Sequence, residues 1–104
     1  MQKGVLPIPE EDQWKLFILI LREIAREKKL STYDIATRMG IAQPNVQRIF
    51  SLKYTPGLPI FLKLCKAVEV NLFIESKDSM SDFNQLFEQA MEELGRRPER
   101  MSKN

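Results

Sequence analysis

The chain has 104 residues, 43% hydrophobic and 29% charged, with a net charge of +2. That length allows one modest core, and that composition excludes a disordered chain. One cysteine and no histidine exclude an internal disulfide framework and remove the commonest general base and the commonest metal ligand together.

The charge is uneven along the chain. Residues 22–66 hold nine bases against three acids, or +6, whereas residues 67–104 hold five against eight, or −3. A basic middle and an acidic end suit a chain that offers one surface to a polyanion, although an ordinary solvated surface gives the same count.

Residues 1–11, with Gly4, Pro7 and Pro9, read as an extended arm. The longest apolar run, Leu16 to Leu21, is too short to span a bilayer. Acidic Glu10, Glu11 and Asp12 stand before it, where a signal peptide would be basic. No membrane partner and a cytoplasmic location are therefore expected. Asp12 is expected to cap a first helix running to about Lys29, with Trp14, Phe17, Leu21 and Ile24 as its buried face. Leu16, Leu19 and Ile20 add apolar surface that either belongs to the core or meets a partner.

Leu30-Ser31-Thr32-Tyr33-Asp34-Ile35 is a helix start. Ser31 and Asp34 form a variant capping box, and Leu30 and Ile35 a hydrophobic staple. Gly40 ends this helix after about two turns. A third helix follows at once, because Pro44 is tolerated only in a first turn; Val46 and Ile49 face inward, with Phe50 near its end. A polar loop from Ser51 to Gly57 leads to Pro59, which suits the first turn of a fourth helix with Ile60, Phe61, Leu64 and Ala67 mostly in the core. Cys65 reads there as a buried small hydrophobe.

Val70-Asn71-Leu72-Phe73-Ile74-Glu75 is rich in strand formers. A lone strand must pair with another copy, or else the segment is helical or irregular. Ser81 is expected to open a last helix that runs to Leu94, with Gly95 as its stop. Its apolar stripe is Phe83, Leu86, Phe87, Ala90, Met91 and Leu94. Residues 71–95 thus read as a dimerisation or partner segment, and residues 96–104 as a frayed tail.

Residues 30–72 resemble the phage-repressor and Cro-type helix-turn-helix family, also called the XRE or lambda-repressor-like family. The elements that carry the resemblance are LS (30–31), IA (35–36), GI (40–41), QPNVQRI (43–49), KYTP (53–56) and LPIFLKLCKAVEV (58–70). They cover about two-fifths of the chain with unbroken spacing. The resemblance implies an all-α fold, a lambda-repressor-like domain of four to five helices, with residues 12–70 as the DNA-binding domain; the possible short strand and the final amphipathic helix read from the residues lie beyond it.

It also implies a double-stranded DNA partner. The third helix of such a motif lies in the major groove while the second crosses the phosphate backbone. Gln43, Asn45 and Gln47 are then base-reading candidates, since amide side chains match the N6/N7 edge of adenine, and Arg48 contacts base or backbone. Lys53, Tyr54 and Thr55, and Thr32 and Tyr33 at the start of the second helix, fall where phosphate contacts belong. The chain departs from the family at four places: Thr32 stands for a usual glutamine, Ala42 for serine, Phe50 for glutamate and Leu52 for glycine.

A sequence-specific regulator, a repressor acting on a pseudo-palindromic operator as a homodimer, is the first expectation. The second is an antitoxin with the same DNA-binding centre, its terminal stripe holding a toxin protein instead of a second copy. The third is an interaction module that has kept the fold and lost DNA binding. No histidine, no glycine-rich phosphate loop and no two-cysteine half-site leave little catalytic chemistry, so no enzyme, cofactor or metal site is expected.

Overall fold

The computed structural model describes residues 8–74, 77 and 82–95, and among these the chain is all-helical. After a 3-10 turn at Glu10–Asp12 come α1 (Gln13–Glu27), α2 (Thr32–Met39), α3 (Gln43–Phe50), α4 (Leu58–Val68) and α5 (Phe83–Glu93). The chain divides after Leu72 into two compact units. The first holds α1 to α4, and the second holds α5. No helix among the described residues is long and apolar enough to cross a membrane.

In the first unit α2 packs against α3 and α4, and α1 against α3 and α4. Ile18, Leu21, Ile35, Val46, Ile49, Leu64 and Val68 form the buried centre. The inward face of α1 keeps three of the four expected residues, Trp14, Leu21 and Ile24, but not Phe17. Ile18, Leu21 and Ala25 are buried with Trp14 and Ile24 beside them, whereas Phe17 is 47% exposed. The apolar run from Leu16 to Leu21 fits a helical period in more than one phase, and contact with α3 and α4 selects the phase that brings small Ala25 inward. Phe17 and Ile20 consequently face out.

Asp12 does not cap α1. Its backbone is already in the right-handed helical region (φ −104°, ψ −1°), whereas a capping residue needs extended backbone to aim its side chain at the first free N–H groups. Its carboxylate lies 3.1 Å from Lys15 instead. By contrast, α2 opens on a complete capping box: Asp34 N–H donates to Ser31 Oγ at 3.0 Å and Ser31 N–H donates to Asp34 Oδ2 at 2.9 Å. The Ser31 N–H, and after it the Ser31 hydroxyl, hold the Asp34 carboxyl below its ordinary pKa.

Three helices of the first unit end the same way. After α1, α2 and α4 the chain turns through a left-handed residue, Lys29, Gly40 and Glu69 (φ 60°, 72° and 65°). The next N–H then reaches back five residues: Leu30 to Ala25, Ile41 to Ala36, and Val70 to Cys65. This satisfies carbonyls that a helix end otherwise leaves unpaired. Glycine marks only one of the three, and α1 ends at Glu27, two residues short of the expected Lys29, which forms the left-handed turn. Leu52, where the resemblance sets a glycine, is also left-handed (φ 66°) while packing half-buried on the core.

The expected strand is absent. Residues 70–74 have no regular secondary structure, and Glu75 lies outside the described residues. A single extended segment with no neighbouring strand leaves its backbone N–H and C=O groups without ladder partners, and nothing among the described residues supplies that neighbour. In α5, Asp82 takes the capping role expected of Ser81, accepting from Gln85 N–H at 3.3 Å, and Gly95 is left-handed at its end. Ser81 lies outside the described residues.

Candidate nucleic-acid interface

The α2–α3 pair is built from short-range signals. Gly40 reverses the chain through a positive φ that a β-carbon would strain, and nothing crowds it. Only Ile41 and Ala42 separate it from α3, so the two helices stay in contact. Ala42 has the extended backbone of a cap but no side chain to offer. Pro44 softens that loss: it has no N–H to satisfy, and Asn45 N–H turns back to the Ala42 carbonyl at 3.0 Å.

The buried side of α3 is Val46, Ile49 and Phe50. Its far side is exposed from Gln43 to Ser51. At 3.6 residues per turn, Pro44, Arg48 and Ser51 follow the crest opposite the core. Gln43 and Gln47 lie on one flank, and Asn45 on the other beside Arg48. The four candidate base-reading residues are therefore split by the crest rather than gathered on one line. Gln47 and Ser51 line a groove with Arg22, Arg26 and Thr32; Asn45 and Arg48 line a second groove with Ile41, Tyr54 and Ile60.

One bond ties the two helices together on the exposed side: Gln43 Nε2 donates to Thr32 Oγ1 at 2.7 Å. Thr32 spends an acceptor and keeps its own proton. Gln43 keeps one N–H and its carbonyl oxygen, the donor–acceptor pair that an adenine edge requires. Ser31 occupies the Asp34 N–H and Ile35 N–H closes on the Ser31 carbonyl, which leaves the N–H groups of Thr32 and Tyr33 at the helix start for an outside acceptor. Tyr33 is 66% exposed. Lys53, Tyr54 and Thr55 are exposed in the loop after α3.

Much of the basic character counted from sequence is used inside the fold. Arg22 Nη1 donates to the Phe50 carbonyl at 3.0 Å, closing the C-terminus of α3. Lys28 Nζ donates to the carbonyls of Val68 and Glu69, both at 2.8 Å, and Arg38 Nη1 to that of Ala67 at 2.7 Å. These two cations cap α4, with the Glu69 carboxylate 3.9 Å and 3.4 Å from them. Arg26 pairs with Glu23 at 2.7 Å. Arg48, Lys53, Lys63 and Lys66 have no such side-chain partner among the described residues. The outward charge next to α3 is thus Arg48 and Lys53.

Arg22 is the residue that motif reading missed. It holds the end of α3 and lines the groove beside Thr32 and Gln47, and its Nε is buried with no hydrogen-bond partner. A single arginine at the edge of an otherwise apolar α1 face was the available signal.

On α5, Leu86, Phe87 and Leu94 are 51%, 44% and 72% exposed, Ala90 is exposed and Met91 is half-buried. The Phe83 side chain lies outside the described residues. Cys65 is buried, and burial pushes its thiol pKa up, which keeps it protonated and unreactive. Among the described residues no group of three or more His, Cys, Asp or Glu is placed to hold a metal ion. Comparison with protein-family models, with curated proteins and with solved structures finds no match to this chain.

Proposed function

We propose that the chain is a helix-turn-helix DNA-binding regulator, a repressor that reads a pseudo-palindromic operator as a homodimer through residues beyond Glu69. The observation that carries the reading is the exposed side of α2 and α3. There a glutamine is braced by a threonine across the turn, and among the described residues two helix-start N–H groups are unoccupied and Arg48 and Lys53 have no partner to neutralise them. Amide and guanidinium groups on a short exposed helix suit base edges, and free N–H groups with a lysine suit phosphates.

In this reading α3 enters the major groove along its crest. Gln43 and Gln47 address one wall of the groove, and Asn45 and Arg48 the other. Exposed Pro44, on the crest, adds an apolar contact of the kind a thymine methyl accepts. Thr32, Tyr33, Lys53, Tyr54 and Thr55 hold the backbone on either side. The lambda-repressor-like assignment belongs to this proposal.

Two substitutions test it. Gln47→Ala should weaken a selected operator by ~1–3 kcal/mol and relax its base preference. Lys53→Ala should weaken all sequences alike and reduce the salt slope by about one. Equal losses from both variants on operator and random DNA would refute base reading by α3.

A second reading has its own observation. Leu86, Phe87 and Ala90 on α5 are exposed, and no α5 residue among those described is buried. An antitoxin would use that stripe to hold a toxin protein, with the same DNA-binding centre. A homodimer that sequesters the stripe would count against it.

A further inference from the structure

Two cations of the basic segment serve neither the fold nor the exposed side of α3. Lys63 and Lys66 are exposed on α4 and have no side-chain partner among the described residues. With Arg38, Glu69, Met39 and Ala67 they line a groove of about 460 Å³ between α2 and α4. It shares no lining residue with the two grooves that flank α3.

The charges in this groove are not equivalent. Arg38 donates to the Ala67 carbonyl at 2.7 Å and lies 3.4 Å from the Glu69 carboxylate, so it is already committed. Lys63 and Lys66 are the charge left to face outward. Helix α2 ends at Met39 and α4 at Val68, so the negative ends of two helix dipoles border the groove. A nucleic-acid backbone, with one charge per ~1.7 Å of duplex, would run onto Glu69 and both dipole ends. Sparser carboxylates avoid them. Lys63 and Lys66 are three residues apart, about 4.5 Å along the helix axis, and glutamates one turn apart on a facing helix nearly match that spacing. Leu62, one turn before Lys66 on the same face, is 48% exposed and adds an apolar contact at the edge.

We propose that the α2–α4 groove docks an acidic amphipathic helix of a partner protein. Its carboxylates pair with Lys63 and Lys66, and its apolar edge lies on Leu62. Charge complementarity sets orientation and on-rate, and apolar contact supplies affinity, so the complex weakens as salt rises. The inference goes beyond the regulator reading and does not depend on it. A chain with both activities would read DNA through α3 and hold a second protein through α4.

The test uses the full chain and a synthetic helical peptide with glutamates along one face and leucines at its edge. Amide NMR shifts on titration should concentrate at Arg38, Leu62, Lys63 and Lys66 and spare Gln43, Asn45 and Gln47. Lys63→Glu/Lys66→Glu should weaken the peptide at least ~tenfold at low salt, while Lys63→Arg/Lys66→Arg retains it. Lys63→Gln/Lys66→Gln, which sets no new acid near the end of α4, should weaken it in the same direction. Shifts centred on α3, or equal binding by the parent and both charge-removing variants, would overturn the proposal. So would a loss of DNA retention by those variants as large as their loss of peptide, since the lysines would then serve nucleic acid. If the parent chain binds the peptide as stated and binds no DNA, the groove stands and the regulator reading falls.

Discussion

The bond between Gln43 and Thr32 sets up a double-mutant cycle on DNA affinity. Both side chains lie at or near the surface, so in the free protein the 2.7 Å bond contributes only about 0.5 kcal/mol, the low end for a neutral pair. Its larger effect is on DNA. Ordering a free glutamine side chain costs up to ~2 kcal/mol, and a glutamine already held by Thr32 avoids part of that cost. Gln43→Ala alone should lose ~1–3 kcal/mol on a selected operator. Thr32→Ala alone should lose about 1 kcal/mol through the hydroxyl that serves phosphate, plus the brace. In the double variant the brace can be lost only once, so the losses fall short of additive by ~0.5–1.5 kcal/mol, or about two- to twelvefold in affinity. Titrating one operator with four proteins at one salt concentration measures it. Additivity within ~0.3 kcal/mol would refute the brace.

Further expectations concern the scaffold. Lys29→Gly should raise stability by about 0.5–1 kcal/mol in chemical denaturation, because glycine relieves the left-handed strain of ~1–2 kcal/mol while adding chain entropy to the unfolded state; an unchanged midpoint would contradict the turn. Lys28→Met should cost about 1–2 kcal/mol, since it removes two charge-assisted bonds to the end of α4. Glu69→Gln should stay within ~0.5 kcal/mol, as an exposed ion pair contributes little. Asp34→Ala should lose stability with a defined pH dependence. The folded carboxyl titrates below its unfolded value, so its contribution is full above about pH 4 and fades as pH falls through the lower folded pKa. Parent and variant curves should converge in strong acid, and a gap that widened there would contradict the capping box.

What could be read ahead of the structure was what short-range chemistry writes into neighbouring residues. Ser31 and Asp34 announce a capping box, Gly40 a left-handed turn, Pro44 and Pro59 first helical turns, and each stands where the fold uses it. Lys29, Leu52 and Glu69 adopt the same left-handed conformation without glycine, so their turns had no local signal. That Ile18 rather than Phe17 faces inward on α1 was hidden because six consecutive apolar residues satisfy more than one helical face. Distance along the chain concealed more: Arg22, Lys28 and Arg38 bond backbone carbonyls 28, 40 and 29 residues away. No pattern of residue types marks a carbonyl as an acceptor. The same limit applied to the candidate interface. Charge counting overstated the positive surface, and a linear motif could not show that its four polar residues lie on two flanks of one helix.

Selection of bound sequences from a random double-stranded pool tests the regulator reading most directly. The expected result is convergence on two inverted half-sites whose centres lie about 10–10.5 base pairs, or ~34 Å, apart. Affinity for that sequence should exceed affinity for random DNA by at least ~10³. A pool that fails to converge, or a chain that retains selected and random DNA equally at every salt concentration, would contradict it.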